Sequence, residues 1–157
     1  MKPQIGISEK NLEKVIMLLS VALSNESTLY LKTRKAHWNV TGESFMELHK
    51  LFEGQYKKME ESIDEIAERI GKLGGEIIGT MQEYSKLTTI KESPGKYSNS
   101  KEIIKELLNN HESIIIQLRK DIEYCTVKYL DAGTADFITG LMEQHETTAW
   151  ILRKYLI

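Results

Sequence analysis

Apolar residues recur every three or four positions from Leu12 onward: Leu12, Val15, Ile16, Leu19, Ala22, Leu23 and Leu29. That spacing lines one face of an α-helix. Ser8, with Asn11 three residues on, is a plausible N-cap, and the pattern predicts a helix from there to about Trp38. Asn39-Val40-Thr41-Gly42 predicts a turn. A second helix is expected from about Ser44 to Leu73, stopped by Gly74-Gly75. Residues Ile77 to Lys86 predict a short helix, and Lys91 to Gly95 a loop. A third helix is expected after Asn99 or Ser100, running to about Tyr129. Asp131-Ala132-Gly133 predicts a break, and Thr134 opens a fourth helix to about Tyr155. Four long helices with so long a connection between the second and third imply a crossover that returns the chain parallel. The fold class is all-α: one domain over residues 1–157, a four-helix bundle with a short helix in the crossover.

The second helix carries two stripes. With His49 at zero and about 100° per residue, Leu48, Phe52, Met59, Ile63, Ile66 and Ile70 cluster near −90°, facing a bundle core. His49, Glu53, Asp64 and Glu68 fall at about 0°, 40°, 60° and 100°, a face turned mostly away from that core. Glu60 and Tyr56 share it. His49 with Glu53, and Asp64 with Glu68, stand four residues apart, so each pair can converge on one ion. The two pairs lie roughly 22 Å apart along the axis at 1.5 Å per residue. Bonds from a metal to nitrogen or oxygen are about 2 Å long, so one helix cannot close both pairs on a single ion. Two copies packed antiparallel can, and a two-fold axis then makes two identical sites. His37, ending the first helix, can bring a second imidazole to the same place. Two imidazoles with several carboxylates suit iron, zinc or manganese better than calcium. The competing reading is a solvated acidic face with ordinary surface histidines.

Composition narrows the setting. Two prolines, Pro3 and Pro94, leave the long helices uninterrupted. The single cysteine, Cys125, permits no internal disulfide and fits a reducing compartment; it reads as a packing residue. The N-terminal residues have no apolar run resembling a signal peptide, and no stretch approaches the roughly 18 apolar residues of a membrane span. A net charge of −2 offers no general attraction to nucleic acid or anionic membrane.

The order of residues is more specific than the wheel. AHWNVTGESFMELHKLFE followed by IDEIAERIGKLGG resembles the Dps family of ferritin-like proteins, as does DAGTADFITGLMEQHETTAWILR near the C-terminus. The family pattern is His-Trp-Asn-Val, a His twelve residues after the first, a carboxylate four later, an Asp eleven later and a Glu four later. His37, His49, Glu53, Asp64 and Glu68 stand at those intervals. The resemblance implies a ferritin-like four-helix bundle in a cytoplasmic homododecameric shell. It implies a ferroxidase site at a two-fold interface, with His37, His49 and Glu53 from one subunit and Asp64 and Glu68 from its partner. Ferrous iron would be oxidised there, preferentially by hydrogen peroxide, and stored as ferric mineral, protecting DNA and the cell from oxidative damage. Many members have Asp where this chain has Glu53, which keeps the donor atoms but lengthens the arm. Ordinary ferritins use a Glu-x-x-His motif within each bundle; the residues three before each histidine here are Arg34, Met46, Leu108 and Met142.

Several residues keep two readings. Trp38 and Tyr56 can pack an interface or donate electrons that quench radicals. Asp131 and Asp136, near the start of the last helix, can line a pore for ferrous iron or simply favour the helix N-terminus. His111 and His145 lack a carboxylate pattern and read as structural. DNA binding in this family usually rests on lysine-rich tails, and the first segment offers only Lys2, with Lys10 inside the helix. A DNA-compacting shell with a secondary metal site is therefore the alternative reading, and a helical interaction module is a third.

Overall fold

A computed structural model describes residues 3–157. The first helix, α1, spans Glu9–Asn39 and starts where the Ser8 side chain accepts the Asn11 amide at 3.3 Å. Asn11 in turn donates to the Tyr129 carbonyl at 3.1 Å, tying the helix start to the far end of the chain. The helix stops at Val40, which turns extended and is buried. After a short turn α2 runs Phe45–Lys72. It closes on Gly74, whose φ of +81° suits glycine, with Gly74 N donating to Gly71 O and Gly75 N to Ile70 O.

The crossover differs from expectation at its start. Its short helix, α3, is Met81–Leu87 rather than Ile77 to Lys86. The reason is a capping box: Thr80 Oγ1 accepts from Glu83 N, and Glu83 Oε2 accepts from Thr80 N at 2.9 Å. Residues ahead of Thr80 are thereby held out of the helix. Asn25 of α1 holds the next segment, its Oδ1 accepting from Thr89 N at 2.7 Å and from Thr88 Oγ1 at 3.0 Å. Further on, Lys32 reaches the Lys91 carbonyl and pairs with Glu106 at 2.8 Å, while Lys35 donates to the Ser93 carbonyl.

Helix α4 covers Ser100–Glu123, capped by the Asn99 side chain. The expected continuous helix to Tyr129 gives way to a π-helical turn, Tyr124–Lys128, with Tyr129 N bonded to Tyr124 O at 2.9 Å. Leu130 then takes a left-handed φ of 57°. The last helix, α5, is Ala132–Lys154. Asp131, not Thr134, is its cap: the Asp131 carboxylate accepts Thr134 N at 2.9 Å and Thr134 Oγ1 at 2.6 Å. The break is therefore shorter than expected, because this Asp-x-x-Thr pairing draws Ala132 and Gly133 into the first helical turn. Arg69 of α2 adds a bond to the same carboxylate at 3.3 Å.

Helices α1 and α2 pack as one antiparallel pair and α4 and α5 as the other, with the crossover joining them. The described helices are all of this bundle, with no strand among the described residues. Leu19, Leu23, Leu29, Phe52, Ile66, Ile70, Leu107, Leu118 and Ile138 are fully buried between the pairs. The predicted apolar stripe of α2 is buried at Leu48, Phe52, Met59, Ile66 and Ile70, and half-buried at Ile63. Its other stripe stays outside. Cys125 is buried, and desolvation pushes its thiol up to about 12, which keeps it protonated and unreactive.

Candidate metal centre

The end of α1 and the first turns of α2 meet across the connecting turn, and this brings His37 and His49 together. Their rings stack with centroids 3.7 Å apart and planes 21° from parallel. The stack is locked by two reciprocal bonds. His37 Nδ1 lies 2.7 Å from the His49 carbonyl, and His49 Nδ1 lies 2.9 Å from the His37 carbonyl. A carbonyl oxygen can only accept, so both Nδ1 atoms carry the proton. In the neutral rings each Nε2 then presents a lone pair. Neither Nε2 has a partner among the described residues. Backbone carbonyls on Nδ1 are the usual way proteins fix metal-ligating imidazoles in the right tautomer.

Glu53 lies one turn further along α2 and is half-exposed. Lys57 donates to its Oε1 at 2.5 Å. That bond and the ammonium charge hold the carboxyl below its usual range, with smaller contributions from His37 and His49. The carboxylate form needed to hold a cation is thus favoured.

Asp64 and Glu68 lie about three to four turns beyond, both exposed. Glu68 pairs with Lys72 at 3.0 Å, a solvent-screened contact. Asp64 borders an open groove with Lys57, Glu60, Ile63, Ala67 and Tyr84. Among the described residues no three His, Cys, Asp or Glu side chains converge on one point within a subunit. The five residues thus fall in two groups, His37, His49 and Glu53 near one end of α2 and Asp64 and Glu68 apart from them.

Aromatic side chains wall the imidazole pair. Tyr56 meets His37 edge-on at 5.3 Å, and Phe45 lies 5.1 Å from His49. Tyr30, Arg34 and Trp38 stand at helical spacing on α1. The Arg34 guanidinium sits over the rings of Tyr30, Trp38 and Tyr56 at 5.5, 5.2 and 4.8 Å, and donates to Tyr30 Oη at 2.6 Å. Trp38 remains exposed. Tyr30, Arg34 and Phe45 were not anticipated; the four-residue repeat of Tyr30, Arg34 and Trp38 was the available signal.

Asp131 is nearly fully buried in its cap and its pairing with Arg69, whereas Asp136 is exposed. Lys2 lies outside the described residues. No helix among the described residues is long and apolar enough to cross a membrane.

The sequence profile of the ferritin-like domain matches residues 16–157. An uncharacterized low temperature-induced protein of Nostoc sp. is 41% identical over 97% of this chain and 85% of its own. DNA protection during starvation protein 2 of Bacillus anthracis is 33% identical over 92% of this chain and 97% of its own. Among solved structures, Dps from Thermosynechococcus elongatus is 35% identical, with a TM-score of 0.90 over 94% of this chain and 93% of that one. The DPS protein of Vibrio cholerae, described as a member of a broad superfamily of ferritin-like diiron-carboxylate proteins, is 28% identical with a TM-score of 0.92 over 99% and 97%. The chain belongs to the Dps family of ferritin-like proteins.

Proposed function

We propose that this protein is a ferroxidase and iron store whose reaction centre is built between two subunits of a homododecameric shell. The observation that carries the reading is the His37–His49 clasp, which leaves two Nε2 lone pairs near an ionised Glu53, with no group of three His, Cys, Asp or Glu side chains gathered to hold a metal among the described residues. A second copy packed antiparallel along α2 supplies Asp64 and Glu68. The combined set of imidazoles and carboxylates suits ferrous iron.

In this reading iron is substrate. Each of two ferrous ions gives up one electron, and hydrogen peroxide accepts the pair as its O–O bond breaks, leaving both oxygens at the level of water or hydroxide. No one-electron reduction of peroxide occurs, so no hydroxyl radical leaves the site. Hydrolysis of the ferric ions releases protons and leaves mineral for storage. His37 and His49 hold iron through neutral nitrogen, while Glu53, Asp64 and Glu68 supply the negative charge that favours the ferric product. The setting is the cytoplasm of a bacterium or archaeon, where protection of DNA is chemical. A net charge of −2 per chain, −24 for 12 copies, gives phosphates little to hold.

Ferrous iron added without oxygen, followed by peroxide, with ferric absorbance as readout, tests the site. His37→Ala/Asp64→Ala is expected to lose the fast phase, and an unchanged rate refutes the assignment. A gel shift at low salt and neutral pH addresses DNA: retention by metal-free protein would favour a DNA-compacting shell instead.

A further inference from the structure

The sequence reading leaves His111 and His145 as structural residues, yet they belong to a polar cluster deep in the bundle. Each of the four long helices sends one polar side chain there: Glu26 from α1, Gln55 from α2, His111 from α4 and His145 from α5, all nine-tenths or more buried. Three of them form a chain. His145 Nε2 lies 2.5 Å from Glu26 Oε1, and His145 Nδ1 lies 2.8 Å from His111 Nδ1. The Glu26–His145 contact crosses the seam between the α1/α2 pair and the α4/α5 pair. The chain thus ties the two halves of the bundle together near the middle of each helix.

Each contact of the chain needs one proton between its two atoms. Two proton counts satisfy both contacts. With both rings neutral, His145 Nε2 donates to the carboxylate, His111 Nδ1 donates to His145 Nδ1, and the chain carries the single negative charge of Glu26. One proton more makes His145 an imidazolium that donates on both sides. His111 then carries its own proton on Nε2, and the charge on His145 balances Glu26. The next proton has no such place. On His111 it would leave both Nδ1 atoms carrying hydrogen, pointed at each other across 2.8 Å. On the carboxylate it would leave the His145 charge without a counter-charge in the core.

The surroundings offer no relief. Among the described residues no second acid bonds to either ring. On α2, Lys58 lines the small cavity of about 20 Å³ beside the cluster and pairs with Glu61 at 2.8 Å, so it adds no negative charge there. Glu112 and Glu146, next to the two histidines in sequence, pair with Arg153 and Arg119 at the surface. Lys32 and Glu106, further along α1 and α4, pair with each other at 2.8 Å. Burial, with His145 beside it, holds the His111 ring well below the ordinary imidazole value of 6.5. The unfolded chain takes up a proton that the folded chain resists. The stability tied to His111 is therefore full above about pH 6.5 and is lost as the pH falls below it.

We propose that the Glu26–His145–His111 chain is an acid-sensitive latch, closed at neutral pH and released by proton uptake, which lets the α4/α5 pair loosen from α1 and α2. The one-proton contact between the two Nδ1 atoms is its trigger, and Glu26 sets how much positive charge the chain tolerates. The latch shares no residue with the candidate metal centre and stands whether or not that centre oxidises iron.

Hydrogen exchange of the assembled protein between pH 7.5 and 5, read by mass spectrometry and corrected for the intrinsic exchange rate, tests the latch. Core amides of α4 and α5 around His111 and His145 should lose protection below about pH 6.5, approaching about tenfold per pH unit for each extra proton taken up on opening. His111→Gln keeps an amide donor for His145 Nδ1 but cannot be charged. Between pH 6.5 and 5 its protection should fall by about tenfold less than that of the unmutated protein. His111→Asn is the second neutral variant, used if the first does not fold. Circular dichroism and assembly size are checked at every pH. Groups common to all these proteins, His37 and His49 included, cancel in the comparison. The proposal is overturned if the unmutated protein keeps its protection down to pH 5, or if the neutral variant loses protection as steeply as the unmutated protein.

Discussion

Two clusters in this molecule use the same residue types in opposite ways. The first, His37, His49 and Glu53, lies where the end of α1 meets the first turns of α2, with His37 buried, His49 and Glu53 half-buried, and no partner for either Nε2 among the described residues. The second, His111, His145 and Glu26, lies inside the bundle, with its central imidazole bonded on both sides. In the outer cluster backbone carbonyls orient the rings, so every side-chain donor atom not needed for folding remains for chemistry. In the inner cluster the side chains orient one another, and removing one strands the others in a medium that cannot solvate them. The inner group therefore costs more to mutate than the outer one.

The contrast is most easily broken at its largest expected effect. His145→Leu removes the only partner of the Glu26 carboxylate among the described residues and should destabilise the protein by about 3–5 kcal/mol, the usual penalty for stranding a buried charge. Denaturation midpoints at fixed protein concentration would show this. A loss under about 1 kcal/mol would mean that the carboxylate is neutral or solvated and the two clusters are alike. Next, His37→Ala/Asp64→Ala should slow ferrous oxidation about a hundredfold or more while shifting the midpoint little. A large stability loss there would show that the outer cluster also holds the fold.

A third buried acid sharpens the comparison. Among the described residues Asp121 has only the Gln117 amide as a hydrogen-bond partner, at 2.9 Å, where Glu26 has an imidazole. Desolvation pushes its carboxyl up to about 6, despite the lowering effect of that bond. Its folded value thus lies above its unfolded one. The corresponding stability is full below about pH 4 and is lost as pH rises through about 6. Asp121→Asn should accordingly raise the midpoint at pH 7.5, by about 1–3 kcal/mol, and have little effect near pH 4. An equal gain at both values would remove ionisation as the cause.

The smallest effect is also the most diagnostic for a shared site. His37→Ala and Asp64→Ala subunits, unfolded and reassembled together, should recover about a quarter of the unmutated activity. Half of the pairs are mixed, and each mixed pair holds one intact site of two. No recovery would place all ligands within one subunit.

What could be read in advance divides along the same line. The outer ligands on α2 obey one helix period, so their common face and the distance between Asp64 and His49 follow from the spacing alone. The inner cluster has no such signal. Glu26, His111 and His145 lie on three helices, 119 and 34 positions apart in the two bonds that join them. Each is a lone polar residue in an apolar stripe, and only tertiary packing brings them together. Helix ends were legible where a capping side chain marked them, as at Ser8 and Asn99. The late start of α3 was legible too, in Thr80 and Glu83, but Ile77 and Ile78 suggested an earlier one. The π-helical turn after Glu123 was not, because shifting the bonding to five residues leaves the composition looking helical.

The histidine clasp sets a limit on how this chain can vary. Each ring spends its Nδ1 on the other residue's carbonyl, so the twelve-residue separation of His37 and His49 works as a ruler. The bundle itself would tolerate a longer turn at residues 40–44, since a longer exposed loop costs little closure entropy. An insertion there would nevertheless slide one carbonyl away from its ring, free that imidazole to carry its proton on the other nitrogen, and silence it as a ligand. Among descendants of this sequence, a length change in that turn should mark loss of the proposed iron chemistry in a protein that still folds.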